Sequence, residues 1–296
     1  MNKWFKIFIG TILIIISVIL YARYIGTYGF ITKEYTLYSK NLPNDFDGLK
    51  IIHFSDIHYN KSIGSNKVDK IVEEINLINA DIVVFTGDLI DKDTEITDTD
   101  FEYLTRAFSK ITAKYGKYAV LGNHDYGKID DVISVYNDSG FKYLDNSYDI
   151  IYSQDNEKIF IGGLGNVSYN LDDLDKTMEY FNSNDIDYKV MLVHEPDISD
   201  SIVDNYDVDL ILGGHSHNGQ IRLPGIGAIY TPDGSKKYYD EHYNINGTPL
   251  YISSGIGVSI VNYRLFNRPS INFYRVNKKI KRWNAFSFIF VFYNFF

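Results

Sequence analysis

Five times along this chain a short apolar run stops at a small cluster of Asp, Asn or His. Leu49–Phe54 leads to Asp56 and His58, and Ile82–Phe85 leads to Gly87-Asp88-Leu89-Ile90-Asp91. Residues 118–121 lead to Gly122-Asn123-His124-Asp125. Residues 190–193 lead to His194, and 209–212 to Gly214-His215-Ser216-His217. Short apolar runs of this kind read as buried strands. Helical spacing separates the early ones: Val68, Ile71, Val72, Ile75 and Ile78 within 66–80, then Phe101, Leu104, Phe108 and Ile111. A third helix is expected over 129–137, with Gly140 past its end. Strand and helix in alternation require a largely parallel sheet, and such sheets carry their chemistry on loops at strand ends.

The second half is richer in strands. A hairpin is expected from 150–152 and 159–161, a helix over 171–181, and strands over 228–230, around Asn246-Gly247 and over 271–276. The expected fold is α/β: two packed mixed β-sheets flanked by helices, a four-layer sandwich, preceded by a transmembrane helix. There is no internal repeat and no interior linker. The division is therefore residues 1–32 as anchor and juxtamembrane segment, 33–282 as one catalytic domain, and 283–296 as an aromatic apolar tail.

The anchor is read from residues 7–21, apolar except for Gly10, Thr11 and Ser17, with Lys3 and Lys6 ahead of them. Trp4 and Tyr24 bracket the run as interface aromatics do. As a helix, 4–24 spans about 30 Å, a hydrocarbon core's thickness. An uncleaved anchor is the favoured reading. The rival is secretion after signal cleavage, although 27–29 make a poor cleavage site. With the two lysines inside, the domain faces outside the cytoplasmic membrane. Lys278, Lys279, Lys281 and Arg282 precede the tail, which either rests in the membrane interface or packs on the domain.

Net charge is −9, which argues against general nucleic-acid binding. Acidic chains still take phosphates where metal ions supply the positive charge. Cysteine is absent, which excludes disulfides, thiolate zinc sites and cysteine nucleophiles together. The donors that remain are carboxylate, amide oxygen and imidazole, and five of the seven histidines lie in the clusters. They suit a pair of Mn, Fe or Zn ions. A lone Asp or His at a strand end is more often a cap or a surface residue; the ordered set outweighs that reading.

The series D-x-H, G-D-x-x-D, G-N-H-D, H, G-H-x-H resembles the calcineurin-like metallophosphoesterases. Residues 214–224, Gly-His-Ser-His-Asn-Gly-Gln-Ile-Arg-Leu-Pro, are similar to their membrane-anchored or exported bacterial phosphodiesterase branch. So are Tyr251-Ile252-Ser253-Ser254-Gly255-Ile256-Gly257 and Arg264 with Asn267-Arg268-Pro269. The resemblance implies that Asp56, His58 and His217 hold one divalent ion and that Asn123, His194 and His215 hold another. It implies that Asp88 bridges them, that a metal-bridging hydroxide attacks a phosphoester, and that His124 aids the leaving group, oriented by Asp91. Asp125 is assigned a supporting role. Arg222 and Arg264 are candidate phosphate contacts, with surface charge as the alternative. His53 and His242 fall outside every motif and read as structural. Glu195 after His194, Asn218 and Ser270 depart from the branch pattern, which bears on substrate and not on the ligands.

The expected function is hydrolysis of a phosphodiester, phosphomonoester or pyrophosphate, a lipid-linked substrate included. A membrane-tethered binding module without activity would have lost ligands, and none is lost. A nuclease would show a basic stripe. A protein Ser/Thr phosphatase would carry Arg where Lys92 stands and Glu where Asp125 stands.

Overall fold

The computed structural model describes residues 2–180 and 186–279. It opens with α1 (Lys3–Leu20), capped by the Asn2 side chain and continued by a π-helical turn at Tyr21–Ile25. No residue of α1 is buried. Lys3–Ile25 forms a helix of 23 residues, long and apolar enough to cross a membrane.

The domain then runs β1 (Ile31–Ser39), β2 (Leu49–Phe54), α2 (Ser65–Ile78), β3 (Ile82–Phe85), α3 (Asp98–Phe108), β4 (Gly116–Ala119), α4 (Ile129–Asp138) and β5 (Phe141–Tyr143). After them come β6 (Ser147–Tyr152), β7 (Lys158–Gly163), α5 (Leu174–Thr177), β8 (Tyr188–Leu192), α6 (Ser199–Asn205) and β9 (Leu210–Gly213). The short hairpin β10 (Arg222–Leu223) and β11 (Gly227–Ala228) precedes β12 (His242–Ile245), β13 (Thr248–Ile252) and β14 (Ser270–Lys278). One six-stranded sheet has the order β1-β14-β2-β3-β4-β5, and the other β12-β13-β9-β8-β7-β6. Strands β2, β3, β4 and β5 are parallel, as are β7, β8, β9 and β13. β14 runs antiparallel to β2 and closes the chain against β1, far away in sequence.

Period-two alternation builds the layers. Ile51, Ile82 and Val84 face the second sheet and meet Ile159, Ile161, Val190, Leu192, Leu210 and Leu212. Their neighbours Ile52, Phe54, Val83 and Phe85 face the other way, onto α2, α3 and α4 through Val68, Ile71, Leu104, Phe108 and Val135. A third apolar layer, including Phe160, Met191, Ile202 and Ile211, covers the outer face of the second sheet. Helix, sheet, sheet, helix is the four-layer arrangement expected.

Two expectations change. Of the helix expected over 171–181, the described part up to residue 180 forms only the single turn α5, behind a 3-10 turn at Val167–Tyr169. Asn146 is the cause. Its side-chain oxygen accepts from the N–H groups of Gly165 and Asp173 at 2.8 and 2.7 Å, and its amide donates to the Leu171 carbonyl. A remote side chain thus takes the Leu171 carbonyl, which a helix begun there would use itself. The edge strand β1 was not foreseen, because it is half-buried on both faces and lacks clean alternation. It also begins at Ile31, inside the segment read as juxtamembrane. Lys281, Arg282 and the tail 283–296 lie outside the described residues.

Candidate metal centre

Parallel strands of both sheets end on the same side. The loops after β2, β3, β4, β8 and β9 therefore converge, and each brings its motif. Asp56, His58, Asp88, His215 and His217 all have positive φ, at 52, 45, 58, 65 and 48°. Such backbone is uncommon outside glycine and gathers where function over-determines it. The motif glycines let the loops touch. A Cβ on Gly122 would stand 2.1 Å from Asp88 Oδ1, and one on Gly87 would stand 2.3 Å from the Gly122 nitrogen.

Donor atoms face each other across short gaps. His217 Nε2 is 3.1 Å from His58 Nε2 and 3.4 Å from Asp56 Oδ1. His194 Nε2 is 3.2 Å from Asn123 Oδ1 and 3.4 Å from Asp88 Oδ2. His58 Nε2 is 3.6 Å from that same Asp88 oxygen. Asp56, His58 and His217 form one group of possible ligands, and Asp88, His194 and His215 another. Donors bound at about 2.1 Å to a shared ion stand about 3.0–3.4 Å apart. Four of the five gaps match that spacing, so the residues of each group fit a divalent ion.

The outer atoms of the ligands are fixed. Thr86 O accepts from His194 Nδ1 at 2.7 Å, and Asp233 O accepts from His215 Nε2 at 2.8 Å. Each bond leaves the opposite ring nitrogen turned to the cluster. Asp88 Oδ1 accepts the His124 N–H at 2.8 Å, which frees Oδ2. Asp125 accepts the N–H groups of Asp88, Leu89, Ile90 and Gly122, tying the second and third motif loops together. Asp91 Oδ2 lies 3.3 Å from His58 Nδ1, 3.5 Å from His124 Nδ1 and 2.8 Å from Lys61 Nζ.

Electrostatics point the same way. Burial alone would push His194 down, yet Asp88 lifts it well above an ordinary imidazole. Burial opposes ionisation of Asp88 too, but His194, His124 and His58 hold it well below the usual carboxylate range. Burial and the Asp88 charge push Asp125 up to about 7. Concentrated buried negative charge calls for cations. His124 lies lowered by burial, against the pull of Asp88. It keeps a side chain 12% exposed, at the open edge of the cluster.

The two arginines are engaged elsewhere. Arg264 is wholly buried; its Nη2 sits 3.2 Å from His217 Nδ1 and donates to the carbonyls of Ser254, Gly255 and Gly257. Arg222 pairs with Asp240 at 2.6 Å and donates to Asn218 O. His53 is buried between Tyr274 and Thr86 hydroxyls. Sequence reading missed Thr86 and Asp233, which act through carbonyls that any residue supplies. It also missed Tyr169, whose hydroxyl reaches Asn123 O at 3.4 Å, and Lys61, three residues after His58.

The sequence profile of the calcineurin-like phosphoesterases matches residues 49–219, more than half the chain. The chain belongs to that family. It is accordingly a metal-dependent phosphoesterase with clustered potential ligands for divalent ions. It is 33% identical to the metallophosphoesterase YkuE of Bacillus subtilis over 85% of this chain and 87% of that one. A transmembrane protein with metallophosphoesterase domain from Danio rerio is 26% identical over 78% of this chain, which spans 54% of that relative. Among solved structures, the calcineurin-like phosphoesterase YfkN from Bacillus subtilis aligns over 70% of this chain and 81% of its own at 14% identity, with a TM-score of 0.45.

Proposed function

We propose that Asp56, His58 and His217 hold one divalent ion and Asn123, His194 and His215 the other, with Asp88 shared. The observation that carries this is the single oxygen Asp88 Oδ2, which faces His58 on one side and His194 on the other. Ions held by these residues would neutralise phosphoryl oxygens and make water nucleophilic near neutral pH. His124, at the open edge, donates a proton to the leaving oxygen. Asp91 faces Nδ1 of both His58 and His124, so it positions both rings. Arg264 backs His217 and fixes the loop at Ser254–Gly257 around it. The substrate is a phosphodiester, phosphomonoester or pyrophosphate, and the helix Lys3–Ile25 tethers the enzyme to the membrane with its domain outside the cytoplasm.

The test uses purified, metal-stripped protein reloaded with Mn, Fe or Zn. Release of nitrophenol from bis-(p-nitrophenyl) phosphate should return with about two ions per chain. Hydrolysis that persists without metal, or a plateau at one ion, would refute the proposal.

A further inference from the structure

Two joined loops rooted in the metal centre turn apolar side chains outward, and the second of them meets the anchor. The first leaves at His217 and returns at Asp233, whose carbonyl holds His215. It carries Ile226, 72% exposed, and Ile229 and Tyr230, both 56% exposed. The second carries Ile260 and Phe266, 64 and 65% exposed. Gln220 joins them by donating to the carbonyls of Val261 and Tyr263, and Ile221 bridges Leu265. Phe266 has φ +52°, a strained choice for an aromatic residue, so its outward course is imposed by the fold.

The second loop packs directly on the anchor. The Arg264 N–H donates to Ala22 O at 2.9 Å, and Leu265 and Phe266 share one groove with Leu13, Ile14 and Val18. Leu13 lies about 13 Å up the helix from Ala22. At the anchor's end the lining gains cations. A cavity of about 660 Å³ is lined by Arg23, Lys67 and Lys70, with Glu73 and Glu74 beside them. Lys67 Nζ reaches Thr27 O at 3.3 Å and Arg268 Nη2 reaches Tyr28 O at 3.4 Å. Among the described residues, none of Arg23, Lys67, Lys70 and Arg268 has a carboxylate oxygen within 4.0 Å. Glu74 is engaged by the Thr32 hydroxyl. Burial, with Arg264 and Arg268 nearby, pushes the Lys67 ammonium down to about 7, a position that an added anion would relieve. Apolar groove beside residues 13–18, then cations beside 23–28, is the order of a bilayer from hydrocarbon to headgroup.

We propose that this face docks on an anionic phospholipid surface, its apolar tips entering the acyl boundary while Arg23, Lys67, Lys70 and Arg268 take lipid phosphates. The inference rests on the reading of Lys3–Ile25 as a membrane helix and is independent of the chemistry at the metals. Docking holds the rim of the metal centre at headgroup level, where phosphoesters of membrane lipids lie.

The chain contains no cysteine, so single labels are clean. Full-length protein carrying Ile226→Cys, Phe266→Cys or Tyr152→Cys, each with an environment-sensitive fluorophore, is reconstituted in phosphatidylglycerol or phosphatidylcholine vesicles. Tyr152 lies on β6, the sheet edge opposite β12. Acyl-brominated phosphatidylglycerol should quench the labels at 226 and 266 and spare the one at 152. Lys67→Gln and Arg268→Gln should each lower the ratio of docked to undocked label about fivefold. Labels at 226 and 266 that iodide in the water reaches as readily as the one at 152 would overturn the proposal. Equal quenching in both lipids would overturn the anionic assignment. Shielding that grows with protein density, without bromine quenching, would give the face to a second copy and overturn it as well.

Discussion

Asp88 stands between the two groups of candidate ligands. One oxygen accepts the His124 N–H, and the other faces donors from both clusters. Asp88→Ala should therefore deplete both ions together, whereas His215→Ala should chiefly empty one site. Metal analysis of the two purified variants checks this, and full occupancy in Asp88→Ala would remove the bridge. His124→Ala should keep its metals and lose turnover by about 10²–10⁴, the usual worth of one general acid. The loss should shrink on nitrophenyl esters, whose leaving group needs little protonation. Metal loss in His124→Ala would make it a ligand instead. Asp91→Asn should mix the two effects, because Asp91 contacts His58 as well as His124.

At the scale of elements, single side chains hold loops in place. Asp125 accepts four backbone N–H groups, at 2.9, 2.8, 3.3 and 2.9 Å. Asp125→Ala should cost about 3 kcal/mol in the metal-free protein, since it strands buried donors; denaturant unfolding reads this directly. Between the sheets, Lys33 on β1 pairs with Glu241 at 2.6 Å, and the Tyr35 hydroxyl donates to the same carboxylate. Burial pushes Glu241 up, but Lys33 and the Tyr35 hydroxyl bring it below its ordinary 4.5. A carboxylate depressed by folding contributes stability that is full above its unfolded value and fades as pH falls through the folded one. Glu241→Gln should therefore lower the Tm at pH 7 by more than at pH 3. An equal loss at both values would show that the pair is not what matters.

At the scale of the molecule, the anchor and the domain meet at β1. That strand gains its place by pairing with β14, from Ile31 opposite Ser270 to Ser39 opposite Lys278. A truncated protein beginning at Tyr28 should fold and hydrolyse small phosphodiesters. One beginning at Lys33 loses the first two rungs and the Thr32–Glu74 bond, and should be about 1–2 kcal/mol less stable. Thermal unfolding of the two compares them, and equal Tm values would show that the strand's start contributes nothing.

Much of the fold was legible because its signals are local. Ile82–Phe85 announces itself by unbroken apolar character, Leu49–Phe54 by an apolar run interrupted only at Lys50 and His53, and α2 by its spacing, since buried strands and amphipathic helices write their periods into neighbouring residues. The candidate ligands were legible for a related reason: in a chain without cysteine, carboxylate, amide and imidazole side chains are the metal donors on offer, so the residue type carries the message. What tertiary structure decided is carried by atoms that residue type does not reveal. The carbonyls of Thr86 and Asp233, the left-handed turns at Asp56 and Asp88, and the helix replaced by Asn146 are set by contacts far apart in sequence. Arg264 shows the division best. Its motif marked it as important, but only the packed chain decided that it lies buried behind His217. A guanidinium's role depends on which carbonyls surround it, and those carbonyls come together only when both sheets close.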